Sequence, residues 1–426
     1  MNDEHRTAVV SCYLVRRRGR SVDLLLVRRS QGVGSYRGRW GTIAGHAETE
    51  PLEDAYRELG EEARFGPRQA ALLAAGAPLA VDDPHEGRSW LVRPMSFLVL
   101  TPRPPLLNWE ATEWRWFPLS SLPQDSVPAL PEAVAACGLP AVVPSTRLVA
   151  ALRAAALDRR QGARALAMRA LHALLAARES SPSQARAFLR ALAHIRPELP
   201  TLRAAAALAW SAAGLATRER PSRLREILLD LDGQARRTAE ASARLLSGRR
   251  VLTVSRSSQV LAALLAAKPS EVRVLAGWPL QDGLAMAREL QRSGIAARAV
   301  PDAAVASAAR DADVLLLGAD AVTPDGTVRN RAASLAAALA ARAAGRPCYV
   351  IVDRLKLSAT LPSDRGLVAG RTADGLLAET PLLEDVPPRL VTGYVTSDGV
   401  VAQRAFTARA QPVAEPSWLA PERAGP

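Results

Sequence analysis

Residues 45–65 read GHAETEPLEDAYRELGEEARF, and the pattern R-E-L-x-E-E lies in the middle of a predicted helix. Residues three and four apart share one helix face, so Glu58, Glu61 and Glu62 are expected side by side. Each pair of like charges costs roughly 0.2–0.5 kcal/mol even in water. A solvated charged face is one interpretation. The other is a site for a hard divalent cation, because Mg²⁺ is held by one or two carboxylates together with substrate phosphates.

The sequence around this helix favours the second interpretation. Two predicted strands, AVVSCYLV and VDLLLVRR, precede the helix within residues 8–30, and a glycine-rich loop, GVGSYRGRWGTIAG, leads into it. Two further predicted strands, SWLVRPMSFLVL and TEWRWFPL, follow the helix, the second within an acidic and aromatic stretch, NWEATEWRWF. These segments indicate a compact α+β unit that ends near residue 120.

These segments resemble the Nudix hydrolase family, whose signature is G-x5-E-x7-R-E-U-x-E-E-x-G-U with U apolar. The resemblance covers roughly residues 6–122 and includes the flanking stretches RRSQGVGSYRGRWGTIAGHAE and EWRWFPLSSL. The residues that match the signature are Gly45, Arg57, Glu58, Leu59, Glu61 and Glu62.

Two departures from the signature affect what can be carried over. The interval from Gly45 to Arg57 is two residues shorter than in the signature, so Glu50 is only the nearest candidate for the upstream glutamate. Arg64 stands where the signature has its late glycine, which removes the residue expected to end the helix. The resemblance therefore implies the metal-binding helix but not the substrate range.

The resemblance implies a metal-dependent hydrolase of a nucleoside diphosphate derivative. A diphosphate carries clustered negative charge that carboxylates alone would repel, so a cation must bridge enzyme and substrate. Arg57 is expected to hold a carboxylate in place, and Glu110 or Glu113 is a candidate for a further ligand or base, with a structural surface role as the alternative for both. The implied catalytic ligands of Mg²⁺, with Mn²⁺ as the alternative ion, are Glu58, Glu61 and Glu62.

Composition narrows the expected partners. The formal charge is +13, but lysine supplies 2 of the 55 basic residues, which leaves 55 − 2 = 53 arginines. A GC-rich coding sequence would produce this skew, the arginines are scattered, and aromatic residues make up 4% of the chain, so nucleic acid is not an expected partner. The three cysteines match no metal spacing, and no apolar run reaches the ~20 residues that a bilayer requires. We therefore expect a cytoplasmic protein without a membrane partner.

The sequence pattern changes three times after the first unit, which we place at residues 1–122. Residues 123–145 carry repeated prolines, a composition suited to a linker or a surface wrap. Residues 146–248 have helical spacing and predict several helices that break at SSPSQ, RPELP and RERPS. In residues 249–410 short apolar runs alternate with amphipathic segments, which predicts a parallel sheet covered on both faces. Residues 411–426 form a tail.

The predicted strands of this sheet are RVLTV, VRVLAG, ARAV, DVLLLGAD and CYVIVD. Ligands bind such sheets at the carboxyl ends of the strands, which here carry SRSS, GWPLQDG and GADAV. The SRSS stretch could hold a phosphate through its hydroxyl groups, Arg256 and the start of the next helix, or its serines could simply cap that helix.

About residues 146–406 resemble the superfamily that joins the initiation factor 2B alpha, beta and delta subunits with the ribose-1,5-bisphosphate and methylthioribose-1-phosphate isomerases. The family pattern of GAD, a D-G turn and Asn-Lys runs here as GADAV, DG and Asn330-Arg331. The stretches AHIRPELPTL, LTVSRSSQVL, GWPLQDG and YVIVDRLKL fall in the family order. The predicted fold class is thus an α+β Nudix-type sandwich followed by a helical segment and an α/β Rossmann-like parallel-sheet domain.

The second resemblance implies a site for phosphate binding and proton transfer that is altered in this chain. Asp320 keeps the catalytic acid, while Ser255 stands where the isomerases have cysteine, and serine at its ordinary pKa is a poor proton shuttle. Arg196 matches a phosphate-binding arginine, but Gln161 and Trp278 replace two others. Asp282 also stands where the isomerases have glutamine. The implied substrate-binding residues are Arg196, Ser255, Asp282, Asn330 and Arg331.

The sequence therefore predicts a Mg²⁺-dependent pyrophosphohydrolase fused to a domain that binds a sugar phosphate or nucleotide. Two alternatives remain open: a non-catalytic regulatory or assembly protein, and a ribose-bisphosphate isomerase-like enzyme with an accessory Nudix domain. By analogy with the second family, we expect a homodimer formed through the C-terminal domain.

Overall fold

The computed structural model describes residues 6–158, 161–372, 374–414 and 416. Its N-terminal unit is one eight-stranded sheet with a helix on one face. The elements of this unit are β1 (Thr7–Arg18), β2 (Ser21–Arg29), β3 (Trp40–Gly41), β4 (Ile43–His46), α1 (Pro51–Ala63), β5 (Ala70–Ala75), β6 (Leu79–Asp83), β7 (Arg88–Val99) and β8 (Ala111–Pro118). The central strand order is β3-β2-β1-β7-β5, and β1 pairs with β7 in parallel.

Both faces of this sheet are buried at β1, because the apolar run of this strand places apolar side chains on both faces. Successive strand residues point to opposite faces. Cys12 and Leu14 pack with Leu59 of α1 on one face. Tyr13 and Val15 belong to a different apolar core on the other face.

The four long strands predicted for this unit are confirmed as β1, β2, β7 and β8. The strand β5 was not predicted, because its sequence AALLAA has the composition of a helix former. Antiparallel pairing with β7, together with burial of five of its six residues, outweighs that preference.

Residues 123–145 pack against the sheet and differ in this respect from an exposed linker. Trp40 N donates to Asp125 O at 2.9 Å, and Val127 N donates to Trp40 O at 2.8 Å, so the chain continues along the edge of the sheet. A short helix, α2 (Leu130–Ala136), then buries Leu130 and Ala133. The apolar residues between the prolines explain this packing.

Five helices follow. The three predicted breaks lie in the loops that join the last four of these helices to one another. The helices are α3 (Thr146–Leu157), α4 (Ala163–Ala176), α5 (Pro182–His194), α6 (Pro200–Ala213) and α7 (Arg220–Leu246). At the SSPSQ break, Ser181 Oγ accepts from Gln184 N, and the Gln184 side chain accepts in return from Ser181 N. This capping box fixes the start of α5.

The second unit is built on a seven-stranded sheet in the order β11-β10-β9-β12-β15-β19-β20. All adjacent pairs are parallel except the last. The elements are β9 (Arg250–Val254), α8 (Ser258–Ala267), β10 (Glu271–Leu275), α9 (Asp282–Arg292), β11 (Ala297–Val300), α10 (Val305–Asp311), β12 (Val314–Leu317), β13 (Ala321–Val322), β14 (Val328–Arg331), α11 (Ser334–Ala343), β15 (Cys348–Ile351), β16 (Leu367–Arg371), β17 (Leu377–Pro381), β18 (Leu383–Val386), β19 (Gly393–Thr396), β20 (Gly399–Ala402) and α12 (Gln403–Arg409).

The parallel sheet and its five predicted strands are confirmed. The sixth parallel strand, β19, was not predicted. The predicted tail at residues 411–426 lies mostly outside the described residues. Of the described helices, not one combines the length and apolar character that a membrane crossing needs.

Arginine side chains join the N-terminal unit to the helices. Arg17 donates to Pro144 O and Val143 O, each at 2.7 Å, and Arg153 donates to Leu100 O at 2.8 Å. Arg190 donates to Leu73 O at 2.5 Å. These bonds satisfy carbonyl groups at the boundary of the shared core.

A buried ion network crosses the same boundary. Glu198 is fully buried and accepts from Arg196 Nε at 2.6 Å and from Arg68 of the N-terminal unit. Burial alone would raise the pKa of Glu198, but the two guanidinium groups outweigh it and lower the pKa below its ordinary value. The carboxylate is therefore held in its charged form between the N-terminal unit and the helices.

Substitution of Glu198→Gln should strongly destabilise the protein, because it leaves the buried Arg196 without its counter-charge. We expect the free energy of unfolding to fall by about 3–5 kcal/mol, measured by denaturant titration. The exposed pair of Arg223 and Glu226 is the matched control, and Glu226→Gln should change stability by less than about 1 kcal/mol. Equal effects of the two substitutions would contradict a structural role for the network.

Candidate functional site

Local features fix both ends of α1. Pro51 lies in the first turn, where its missing N–H costs nothing. The Asp54 carboxylate accepts from Glu48 N and Thr49 N, each at 2.9 Å, and so ties the preceding loop to the helix. Arg64 ends the helix in the left-handed conformation, with φ of 57°, at the position where the Nudix signature has glycine.

Three carboxylates meet at the inner side of α1. Glu58 is 7% and Glu62 is 5% exposed, and Ala44 N donates to Glu62 Oε1 at 3.3 Å. Glu110, from the loop before β8, lies close enough to raise the pKa of both groups. A Cβ atom on Gly45 would lie 2.0 Å from Glu58 Cδ, so only glycine leaves room for this carboxylate. This close contact explains why glycine is required at position 45, which matches the opening glycine of the Nudix signature.

The crowding disfavours ionisation of these groups. The pKa of Glu62 is raised to about 8, first by burial and then by the charges of Glu110 and Glu58. The pKa of Glu58 is also raised, mainly by burial, although Arg57 Nη1 donates to Glu58 Oε1 at 2.6 Å. Arg57 also donates to His46 O at 3.1 Å, which holds it against the loop. A further positive charge here would stabilise the ionised cluster.

The other predicted acids occupy different surroundings. Glu61 is exposed and lies at the rim of the cavity that Glu58 and Glu110 also line. Glu113 pairs with Arg115 at 3.1 Å and does not line this cavity. Glu50 is the residue immediately before α1, and its side chain does not cap the helix. The structure thus brings Glu58, Glu62 and Glu110 together and leaves Glu61 at the edge.

This donor set fits a divalent cation that is completed by its substrate. Within the described residues, no three acidic, histidine or cysteine side chains are already arranged as a metal site. Two carboxylates and substrate phosphate oxygens are nevertheless a common donor set for Mg²⁺. Glu58 and Glu62 would provide the carboxylates, because both are buried and both have a raised pKa.

A cavity of about 440 Å³ is bordered by Glu58, Glu61 and Glu110 but not by Glu62. It lies on the sheet face that carries Tyr13, and its far wall includes Val127 and Ala133 from the segment predicted as a linker. Trp90 and Tyr36 supply aromatic surface, and Arg88 lies 5.7 Å from the centre of the Trp90 ring. The cavity therefore combines a polar, acidic end with apolar and aromatic walls. Neither the aromatic wall nor the contribution of residues 127–133 was predicted.

A second group of polar residues lies at the carboxyl ends of strands in the parallel sheet. Ser255 follows β9 with φ of 60°, and its Oγ donates to Asp282 Oδ2 at 2.6 Å. Arg331 Nε lies 3.7 Å from the same carboxylate oxygen. Ser257 caps α8 by accepting from Val260 N at 3.4 Å. The structure thus brings the predicted Ser255, Asp282 and Arg331 together.

A small cavity of about 20 Å³ lies beside this group. Its lining includes Ser255, Arg331, Asp320, Asn330 and Lys356. The volume is enough for about one water molecule. The sequence motifs do not single out Lys356, although a lysine in a chain with only 2 lysines is a usable signal, and the structure shows that it is buried.

Arg196 lies apart from this cavity. Its guanidinium donates to Glu198 and, at 2.8 Å, to Asp158 O, so its polar atoms face protein groups. The prediction that Arg196 binds a phosphate has no support in this arrangement. The sequence RPEL contained the signal, since an acid two residues from a buried arginine can neutralise it.

Fold and site geometry together define a protein with two α/β units, one with a carboxylate-lined cavity and one with polar cavities at the strand ends of a parallel sheet. The chain belongs to the Initiation factor 2 subunit family, whose model matches residues 159–403, and it carries a NUDIX domain at residues 5–137. Both family resemblances drawn from the sequence are thereby confirmed.

Individual relatives are similar to part of this chain. A putative translation initiation factor eIF-2B subunit 2-like protein of Pyrococcus horikoshii is 32% identical over 191 residues, which cover 42% of this chain and 68% of that protein. A ribose 1,5-bisphosphate isomerase of Haloterrigena turkmenica is 29% identical over 61% of this chain and 90% of its own length. The crystal structure of the Pyrococcus horikoshii translation initiation factor eIF-2B has a TM-score of 0.53 and 28% identity, covering 61% of this chain and 98% of that one.

The raised pKa of Glu62 predicts a pH-dependent stability. Folded Glu62 titrates near pH 8, whereas in the unfolded chain its carboxyl group has its ordinary pKa of 4.5. Between these values the folded state binds the extra proton, so the free energy of unfolding falls as the pH rises through this window. In metal-free buffer, Glu62→Gln should reduce that fall by about 1–3 kcal/mol, measured by thermal unfolding.

The exposed Glu53 in the first turn of the same helix provides the control, because it is not among the charges that raise the pKa of Glu58 or Glu62, and Glu53→Gln should leave the fall in stability in place. Parallel stability profiles for Glu62→Gln and the parent would show that Glu62 is not strained by burial and its neighbours.

Proposed function

We propose that the N-terminal unit hydrolyses a diphosphate bond in a nucleoside diphosphate derivative, with Mg²⁺ or Mn²⁺ as cofactor. The observation that carries this proposal is the group of Glu58, Glu62 and Glu110, of which Glu58 and Glu110 line the cavity and Glu62 is buried beside them. Their mutual repulsion and burial oppose ionisation, and a cation shared with a diphosphate would relieve both effects.

Each residue of the first site has a proposed task. Glu58 and Glu62 would hold the ion, and Glu61 would join them from the rim. When bound, the ion lowers the pKa of its water and steadies charge on the phosphorus oxygens. Arg57 would keep the Glu58 carboxylate in place, and Glu110, which lines the cavity, would accept a proton from the attacking water.

The walls of the cavity suit the remainder of such a substrate. A volume of about 440 Å³ is within the usual range for small-molecule sites. Trp90 and Tyr36 offer ring faces for a nucleobase, and Arg88 and Arg29 offer positive charge to phosphate groups.

For the second unit we propose binding of a sugar phosphate or nucleotide. Asp320, Asn330 and Arg331 line its cavity together with the residues that begin α8, where backbone N–H groups attract anions. Asp320 would move protons if the site is catalytic. The names of its relatives include both translation factors and isomerases, so this domain could regulate the hydrolase or continue its reaction.

Two alternatives differ from this proposal in testable ways. A non-catalytic regulatory or assembly protein would hydrolyse nothing, and an isomerase with an accessory NUDIX domain would convert a ribose bisphosphate. The bond from Ser255 to Asp282 disfavours the isomerase, because a serine donating to a carboxylate is a weaker proton shuttle than a cysteine thiol. A homodimer through the C-terminal unit and a cytoplasmic location remain predictions.

The double substitution Glu61→Gln with Glu62→Gln should lower Mg²⁺-dependent turnover by at least about 10²-fold, because it removes negative charge from the proposed metal site. The measurement is a screen of dinucleotides, nucleotide sugars and deoxynucleotides with detection of released phosphate groups. Glu113→Gln changes an acid outside the cavity and should retain full activity. Absence of turnover in the parent protein across the screen would favour the non-catalytic alternative.

Coupling between the units should be tested in the whole chain, since the two parts share one core. If the second unit regulates the first, ribose phosphates should change the turnover of an ADP-ribose-like substrate, and Asp320→Asn should reduce that response. Turnover that is identical with and without ribose phosphates would remove the coupling. Conversion of a ribose bisphosphate that Asp320→Asn stops would instead support the isomerase.

A further inference from the structure

Lys356 is a buried amine without an ion-pair partner in the described part of the chain. It is 3% exposed and lines the small cavity of the second unit. Asp353 and Asp320 are near enough to influence its pKa, yet neither forms an ion pair with Lys356 within 4.0 Å among the described residues. A buried cation in this situation is costly unless a ligand or deprotonation relieves it.

The other cations at this cavity are already engaged. Arg164 Nη1 donates to Asp353 Oδ2 at 2.7 Å, and Arg256 Nη2 lies 2.9 Å from Glu289 Oε2. Arg331 lies 3.7 Å from Asp282. Gln259 Nε2 also donates to Asp353 Oδ2 at 2.8 Å, and Leu355 N donates to Asp353 Oδ1 at 3.1 Å, so this carboxylate has three donors besides the nearby amine. Lys356 therefore differs from these arginines, because its amine lines the cavity without an ion pair to any described carboxylate, whereas each arginine lies beside one.

The choice of lysine is informative in this chain. With 53 arginines and 2 lysines, arginine is the usual basic residue, and it would serve better for simple phosphate binding. A guanidinium stays protonated, whereas an amine that loses its proton becomes a nucleophile toward carbonyl carbon. Burial lowers the pKa of Lys356, which favours the neutral amine.

We propose that Lys356 is the carbonyl-reactive group of the second cavity and captures the open-chain aldehyde or ketone of a sugar phosphate as an imine. The amine nitrogen adds to the carbonyl carbon, the C=O bond is replaced by C=N, and the carbonyl oxygen leaves as water. Asp320 lines the same cavity and can exchange the protons of this step. Ser257, Ser258 and the start of α8 face the same space and would receive the phosphate.

A sugar phosphate needs more room than one water molecule, so the site must open. A second cavity of about 20 Å³ shares Ser255 and Arg331 with the first and is bordered by Thr380 of the β16–β17 hairpin. Gly370 in this hairpin lies directly on Pro279, where a Cβ atom would approach Pro279 Cβ to 2.3 Å. Ser255 and Arg331 lie between the two cavities, so a ligand that displaces Arg331 from Asp282 would join them.

The test uses the intact protein with ribose 5-phosphate and sodium cyanoborohydride, followed by peptide mapping by mass spectrometry. Only 2 lysines are present, so the assignment is direct, and the exposed Lys268 is an internal control. Reductive labelling of Lys356 should exceed that of Lys268 by about tenfold or more, because a neutral amine is the reactive form. Unphosphorylated ribose should label Lys356 less, and inorganic phosphate should slow the labelling.

Labelling of Lys356 that is no faster than that of Lys268 would overturn the proposal. Lys356→Arg should abolish the adduct and Lys268→Arg should retain it, and the map of the parent protein decides the matter if Lys356→Arg does not fold. The inference rests on the sugar-phosphate binding proposed above. A rise in the melting temperature with ribose 5-phosphate but no adduct would reject the imine and leave that binding, and the hydrolase, intact.

Discussion

One apolar core, shared by the N-terminal sheet and the helices, determines how this molecule is organised. Tyr13, Val15 and Leu24 on the second face of the sheet pack in the same core as Phe188 and Leu192 of α5. A sheet face of this kind cannot be left in water without a large loss of hydrophobic stabilisation. The NUDIX domain and the helices therefore form one structural body, and the wall of the first cavity at residues 127–133 is held by the same packing.

Because the N-terminal sheet and the helices share this core, charged groups at the boundary between them are buried. Burial of Glu198 between Arg68 and Arg196 is stable only when all three groups are present, which makes the network specific for this arrangement of the units. The network also changes the chemistry of the second unit. The Arg196 guanidinium uses Nε to bind Glu198 and Nη1 to bind backbone carbonyls, so these two groups are not available to a phosphate.

Regular apolar patterns made much of the fold predictable. The helix α1, the four long N-terminal strands and the five strands of the parallel sheet follow from periodicity, and the family motifs identified both domains. The strand β5 does not follow from periodicity, because its alanines favour a helix and only pairing with β7 makes it a strand. The site was predictable in part: helical spacing placed Glu58 and Glu62 on one face, but tertiary folding alone brought Glu110 beside them and left Glu61 in solvent.

The charge balance differs between the two cavities, and this difference indicates what each can bind. At the first, Arg57 is bonded to Glu58, and the pKa values of Glu58 and Glu62 are raised, so a ligand that brings positive charge is favoured. At the second, Arg164, Arg256 and Arg331 already lie beside carboxylates. An anion that binds there must replace existing contacts, unless it uses the amine of Lys356 and the N–H groups at the start of α8. The first unit therefore depends on a metal ion for its proposed chemistry, whereas the second depends on a ligand whose carbonyl and phosphate groups engage these two features together.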